Sequence, residues 1–265
     1  ASFALAFIGS LIALMVTRRI RHKDGSLNRA AAVTAGVALG GIGVWSMHFV
    51  GMVALRLDVA SSYGIVESAV SLVAAVVCTS AALIVVSKAP RDLARILGAG
   101  LLLGLGVAGM HYLGMYGMKI GGYINWDLRT VALSVLIAVA AGAAALWLAF
   151  NTRSMASRAG AALLMAAAVC AMHYTGMGAA EFICTTPNRF ATMQGTGLVS
   201  SLGLGHTVAA CAICNGCAAF CGPVRAVDAA LHRAAAAPHR LNPPDQPKLA
   251  QKTRTEAGWI RPTLQ

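Results

Sequence analysis

Charge is scarce in this chain. Only 11% of its 265 residues are Asp, Glu, Lys or Arg, where a soluble domain carries about a quarter. Acidic residues are the rarest, 9 against 21 basic ones. With 58% hydrophobic residues, that scarcity excludes an ordinary soluble globule and points to lipid as the solvent. The net charge of +12 does not indicate nucleic acid as a partner, because the basic residues sit in short loops between apolar runs, where a membrane protein carries its topology signal. A Ser-His-acid set, a phosphate-cradling glycine loop and paired carboxylates within an apolar run are all missing, so no enzyme activity is expected. Nor is there a disulfide framework. The seven cysteines are odd in number; Cys78 and Cys170 lie inside apolar runs, Cys184 in a loop, and Cys211, Cys214, Cys217 and Cys221 in the last apolar stretch. Those four form a helical stripe, read as packing in preference to zinc ligation.

What is abundant is long apolar sequence. Runs at about 1–17, 30–55, 64–87, 96–118, 131–150, 159–180 and 197–221 each approach the roughly 20 residues a helix needs to cross a bilayer. Continuous apolar runs exclude the alternating pattern of a membrane barrel. The expected fold is all-α, a polytopic membrane bundle of about seven transmembrane helices built from three two-helix repeats. The first run is short and begins at Ala1, so an N-terminal extension is expected; Arg18, Arg19, Arg21 and Lys23 after it read as a helix end and not as a cleaved leader. Loops after the first, third and fifth runs hold Arg18, Arg19, Arg21, Lys23, Arg29, Lys88, Arg91, Arg95, Arg153 and Arg158. The alternate loops hold only Arg56, Lys119, Arg129 and Arg189. The richer side belongs in the cytoplasm, which places the N-terminus outside and the C-terminus inside.

One hexamer occurs three times. Met47-His48-Phe49-Val50-Gly51-Met52, Met110-His111-Tyr112-Leu113-Gly114-Met115 and Met172-His173-Tyr174-Thr175-Gly176-Met177 close the second, fourth and sixth runs, 63 and 62 residues apart. All three copies therefore point the same way through the membrane, toward the outer face. On a helix, His48 and Met52, His111 and Met115, and His173 and Met177 share a face as i and i+4 partners. Met47, Met110 and Met172 lie about 100° round the helix from their histidines. Soft thioethers and borderline imidazoles together suit copper, Cu(I) above all, better than magnesium or calcium. The glycine of each hexamer leaves room for close helix approach or a ligand.

Each of these residues also has a plain packing role to weigh. A lone methionine in a membrane helix is usually core. A lone membrane histidine can simply hydrogen-bond to a neighbouring helix, but three in identical contexts at one depth favour a ligand site. Tyr112 and Tyr174 read either as interfacial belt aromatics or as cofactor-binding hydroxyls beside the metal; Phe49 has no hydroxyl to offer. Glu67, Asp127 and Glu181 read as ordinary interfacial charges. His206 could supplement the site, Met118 and Met193 could extend it, and His22, His232 and His239 read as solvated.

In these residues the sequence resembles the bacterial MHYT family of membrane sensor domains, over roughly residues 1–196, through the stretch Gly43-Val44-Trp45-Ser46-Met47-His48 and the two later hexamers. The resemblance implies a seven-helix sensor in which Met47, His48, Met52, Met110, His111, Met115, Met172, His173 and Met177 hold copper near the outer face. It further implies oxygen, carbon monoxide or nitric oxide as the signal, and a cytoplasmic output that makes or degrades cyclic di-GMP or acts as a histidine kinase. Phe49, Val50 and Leu113 depart from the pattern, so three equivalent hydroxyls are not available. Residues 1–221 are expected to form the sensor. Residues 222–265 are expected to be a disordered cytoplasmic tail, too short for a cyclase or kinase, whether a stub of a longer protein, the end of a stand-alone sensor or the product of a frame change.

The expected function is thus a membrane sensor that binds copper, detects a diatomic gas or a redox or metal signal, and relays it to a cytoplasmic signalling protein or output domain absent from this chain. Three rivals stand beside it: a copper or soft-cation transporter or channel, a haem protein with His/Met axial ligation, and a helix scaffold for a membrane partner.

Overall fold

The computed structural model describes residues 1–22, 24–55, 60–187, 195–200, 203–210 and 212–214, all within the unit Ala1–Val224. The expected tail at 222–265 lies outside the described residues, as do Lys23, Arg56, Arg189, Met193, Cys211, Cys217 and Cys221.

Helices dominate: α1 Ser2–Thr17, α2 Arg29–Ala54, α3 Ile65–Ser87, α4 Leu93–Tyr116, α5 Leu128–Asn151 and α6 Met155–Gly178. Five of them, α2 to α6, are long and apolar enough to cross a membrane. The expected count of seven is not reached among the described residues. Helix α1 has 16 residues, and the last apolar run enters as a strand before a shorter helix, Gly203–Cys214, begins. Short connections make neighbouring helices antiparallel. The most apolar window of α2 is 78% buried and that of α5 only 22%, so α2 is the central helix and α5 a peripheral one. Val73, Val77, Leu105, Leu133 and Leu136 remain about half exposed or more, as side chains that meet lipid do.

Small residues set the helix spacing, because apolar surface gains nothing from leaving lipid for another helix. A Cβ on Gly9 would strike the Gly43 backbone, joining α1 to α2, and one on Gly40 would come within 2.6 Å of the Ala75 carbonyl oxygen on α3. Gly100 and Gly104 of α4 lie likewise against Ala143 and Val139 of α5. Between Val37 and Ser46 helix α2 runs as a π-helix, the Ser46 hydroxyl donating to the Gly41 carbonyl at 3.1 Å. The wider turn delivers the first hexamer, Met47 to Met52, in α-helical form just beyond it. Trp45 Nε1 ties α2 to α3 through the Ser68 carbonyl and the Ser71 hydroxyl, both at 3.0 Å.

The all-α expectation needs one correction. Among the described residues, five short strands lie at the end of the bundle where the hexamers sit: β1 Ser61–Gly64, β2 Met118–Ile120, β3 Gly122–Trp126, β4 Ala180–Cys184 and β5 Leu198–Ser200. β1 is the middle strand of one antiparallel sheet, pairing Tyr63 with Met118 of β2 and with Val199 of β5. β3 and β4 pair Gly122 with Cys184 through to Trp126 with Ala180. Backbone leaving a helix must find hydrogen bonds somewhere, and these connections find them in one another.

At the opposite end Arg21 donates to the Ser87 and Lys88 carbonyls at 3.0 and 3.2 Å, closing the C-terminus of α3. Asn28, Asp92 and Ser154 cap α2, α4 and α6.

Candidate metal centre

Three helices deliver one imidazole each to a common point. His48 on α2, His111 on α4 and His173 on α6 all stand in the last turns of their helices, and all are 0–1% exposed. Their Nδ1 atoms form a triangle: His48 to His111 3.1 Å, His48 to His173 3.1 Å, His111 to His173 3.3 Å. The rings meet edge-on, with centroids 4.9–5.2 Å apart and interplanar angles of 76–87°. None of the three Nε2 atoms makes a hydrogen bond of acceptable geometry with the described residues.

Such a triangle cannot be satisfied by hydrogen bonds. A neutral imidazole Nδ1 either carries a proton or presents a lone pair, never both. Among three atoms at least two are then alike, so at least one side of the triangle sets lone pair against lone pair or proton against proton. Burying polar nitrogens in that state is costly. A cation at the centre accepts all three lone pairs and removes the conflict. The size is right as well: the circle through the three nitrogens has a radius of about 1.8 Å, close to a metal–imidazole bond of about 2.0 Å. Among the described residues these histidines form the one group of His, Cys, Asp or Glu spaced to hold a metal ion.

The hexamer methionines take other positions in the same region. Met47 is fully buried against Ala6 of α1 and Ala166 and Cys170 of α6. Met52, Met110, Met115 and Met172 are buried in the main apolar core, and Met177 is half-buried at its edge. Met52, Met115 and Met177 follow their histidines by one helical turn.

The two tyrosines direct their hydroxyls away from the triangle. Tyr112 is bonded to the Ser134 hydroxyl of α5 at 2.5 Å, and Tyr174, 55% exposed, lies 3.2 Å from the Ser2 hydroxyl of α1. What each contributes at the histidine is its ring. Phe49, Tyr112 and Tyr174 sit beside His48, His111 and His173 with centroids 4.8, 4.9 and 4.9 Å apart. Trp126 of β3 backs Tyr112 at 5.4 Å. Sequence reasoning missed Ser134 and Trp126; a lone serine inside the apolar run 131–150 was the available cue.

The weaker candidates resolve into structural roles. Glu67 pairs with Lys119 at 3.2 Å, Asp127 caps α5, and Glu181 accepts from Asn125. Met118 is buried in β2, His22 and His206 are exposed, and the described cysteines 78, 170, 184 and 214 are free thiols.

Comparison with known proteins adds a lineage. A family model described as a bacterial signalling protein N-terminal repeat matches residues 41–99 and 104–162, each match opening just before a hexamer. The chain is 39% identical over 186 residues to the bifunctional diguanylate cyclase/cyclic di-GMP phosphodiesterase MucR of Pseudomonas aeruginosa, covering 68% of this chain and 27% of MucR. It is 35% identical over 145 residues to the cyclic di-GMP phosphodiesterase NbdA of the same organism, covering 52% of this chain and 18% of NbdA. To the signaling protein YkoW of Bacillus subtilis it is 29% identical over 188 residues, 68% of this chain and 23% of YkoW. The chain thus spans about a quarter or less of the length of these relatives. No solved structure matches.

Proposed function

We propose, from the premise that the chain belongs to the MHYT family of bacterial signalling proteins, that it is a multi-pass membrane sensor whose His48, His111 and His173 bind one copper ion through Nδ1. The observation that carries this reading is the buried triangle of nitrogens, which no arrangement of protons satisfies and a single cation does. Imidazole suits copper among several transition metals, and five of the six hexamer methionines, all but the half-buried Met177, are buried in apolar clusters. His48, His111 and His173 would hold the copper, which would supply the chemistry for binding oxygen, carbon monoxide or nitric oxide.

The remaining work falls to the protein. Phe49 and Tyr63, both at most 2% exposed, shield the triangle from water beside α2, and the Tyr112–Trp126 pair does so beside α4. The aromatic edges hold each imidazole ring at a fixed tilt. A ligand alters output only if it prefers one helix arrangement over another, and ligands drawn from three separate helices make occupancy sensitive to how those helices are spaced. The relatives' names point to cyclic di-GMP turnover as the cytoplasmic output, through a domain or partner protein. Arg18, Arg19, Arg21, Arg29, Lys88, Arg91, Arg95 and Arg153 lie at the end away from the triangle, which supports a metal site facing outward.

A haem reading is less well supported. Three Nδ1 atoms within 3.3 Å of one another leave no space for a macrocycle between axial ligands. The test is elemental analysis of detergent-purified protein expressed with copper available, beside a variant carrying His48→Ala, His111→Ala and His173→Ala. About one copper per chain is expected in the first and none in the folded second. Metal-free wild type, or a variant that keeps its copper, overturns the reading.

A further inference from the structure

Each hexamer glycine lies under the imidazole of a different motif helix. A Cβ placed on Gly114 of α4 would strike Nε2 of His48 from α2. One on Gly176 of α6 would strike Nε2 of His111 from α4, and one on Gly51 of α2 would strike Nε2 of His173 from α6. The next ring atom, Cδ2, would stand 3.0, 2.9 and 3.2 Å away in the three cases. The circuit closes on itself: α2 rests on α4, α4 on α6 and α6 on α2. Other glycines of these helices meet a neighbouring helix without touching the triangle, or face open space. Gly98, Gly109, Gly160 and Gly178 meet nothing within 4 Å.

An imidazole could ordinarily swing away from an added methyl group. Here it has nowhere to go, because behind each ring stand the other two, with Nδ1 atoms 3.1–3.3 Å away, and all three are 0–1% exposed. Two ends of the ring are thereby fixed at once. Nε2 abuts the glycine of the next motif helix, and Nδ1 turns to the centre.

We infer that Gly51, Gly114 and Gly176 are positioning residues of the metal centre, each seating the histidine of another helix so that Nδ1 is the nitrogen presented. This rests on the metal reading for its purpose but not for its geometry. It assigns the glycine of the hexamer a partner outside its own helix, and it makes the centre an interlock: a shift of one imidazole is felt by the backbone of the next helix. Helix spacing and ring position are thus one variable.

The decisive experiment is a set of double-mutant cycles on thermal unfolding in detergent, with metal removed by chelator. Gly114→Ala is expected to lower the melting temperature of the wild type, to have no effect in a His48→Ala background, and to cost less than in the wild type in a His111→Ala background, where one of the two rings behind His48 is gone. Gly109→Ala, two residues from His111, is expected to be harmless in all three. A loss in the His48→Ala background equal to that in the wild type overturns the interlock. If Gly114→Ala alone does not fold, a folded His48→Ala/Gly114→Ala double variant supports the seat and an unfolded one refutes it. Copper content then separates the two claims. Wild type with copper and Gly51→Ala, Gly114→Ala and Gly176→Ala variants without it support positioning. Glycine variants that bind copper as wild type does overturn positioning and leave the copper reading intact. A wild type without copper overturns the copper reading, and the cycles still decide the seat.

Discussion

The side chain following each motif histidine is aromatic, and in all three cases its use is as a ring edge against the imidazole, whatever its hydroxyl does. That explains why Phe49 can stand where the other two hexamers have tyrosine. Tyr112→Phe is expected to keep copper at wild-type stoichiometry while losing about 1 kcal/mol of stability with its bond to Ser134, read by thermal unfolding. Loss of copper in that variant would mean that the hydroxyl serves the metal after all. The histidines were legible from sequence because three ionisable groups in equal contexts within apolar runs have few structural uses. The destinations of the tyrosine hydroxyls were not, since Ser134 and Ser2 lie on helices whose rotation about their axes the sequence leaves open. The glycine seats were invisible for a related reason: Gly51 and His173 are partners across nearly half of the chain, and spacing within a hexamer says nothing of that.

Among the elements, the spans at α3 to α6 were readable to within a few residues, because uninterrupted apolar length is the strongest signal a chain can carry. The strands were not, being three to five residues long, with β5 inside the run read as the last transmembrane helix and the others in or beside the short connections. The π-helical stretch of α2 was hidden too; Gly40, Gly41 and Gly43 permit it but equally permit an α-helix. Helix contact makes its own prediction. Gly104→Ala, whose Cβ would meet the Val139 backbone, should destabilise the α4–α5 pair, while Gly98→Ala, which meets nothing within 4 Å, should be neutral or stabilising through higher helix propensity. Equal melting temperatures for the two would refute close backbone packing there. At the start of α5, hydrogen bonds from the Thr130 hydroxyl and the Arg129 amide hold the Asp127 carboxyl below the usual carboxylate range. A lowered folded-state pKa stabilises above the unfolded value and is lost as pH falls through the folded one. Asp127→Ala should therefore lower the melting temperature at neutral pH, with the deficit vanishing in strong acid.

For the molecule as a whole, the basic end and the triangle lie at opposite ends of the bundle, so orientation is a question of which end meets the periplasm. A variant retaining Cys184 as its sole cysteine puts a half-buried thiol at the end of β4 on the triangle side. Labelling of intact spheroplasts by a membrane-impermeant maleimide is expected; labelling only after lysis would overturn the proposed topology. The sheet at that end has a consequence in time. Its middle strand, β1, is made early, right after α2, yet its partners β2 and β5 come from after α4 and α6. A ribosome releasing this chain thus leaves β1 with one open edge and the triangle one histidine short until the third motif helix and the strand beyond it have been made. The first half of the protein spends its synthesis waiting, exposed to whatever can hold an unfinished membrane protein. Completion of the triangle and completion of the sheet both come late, the one soon after the other.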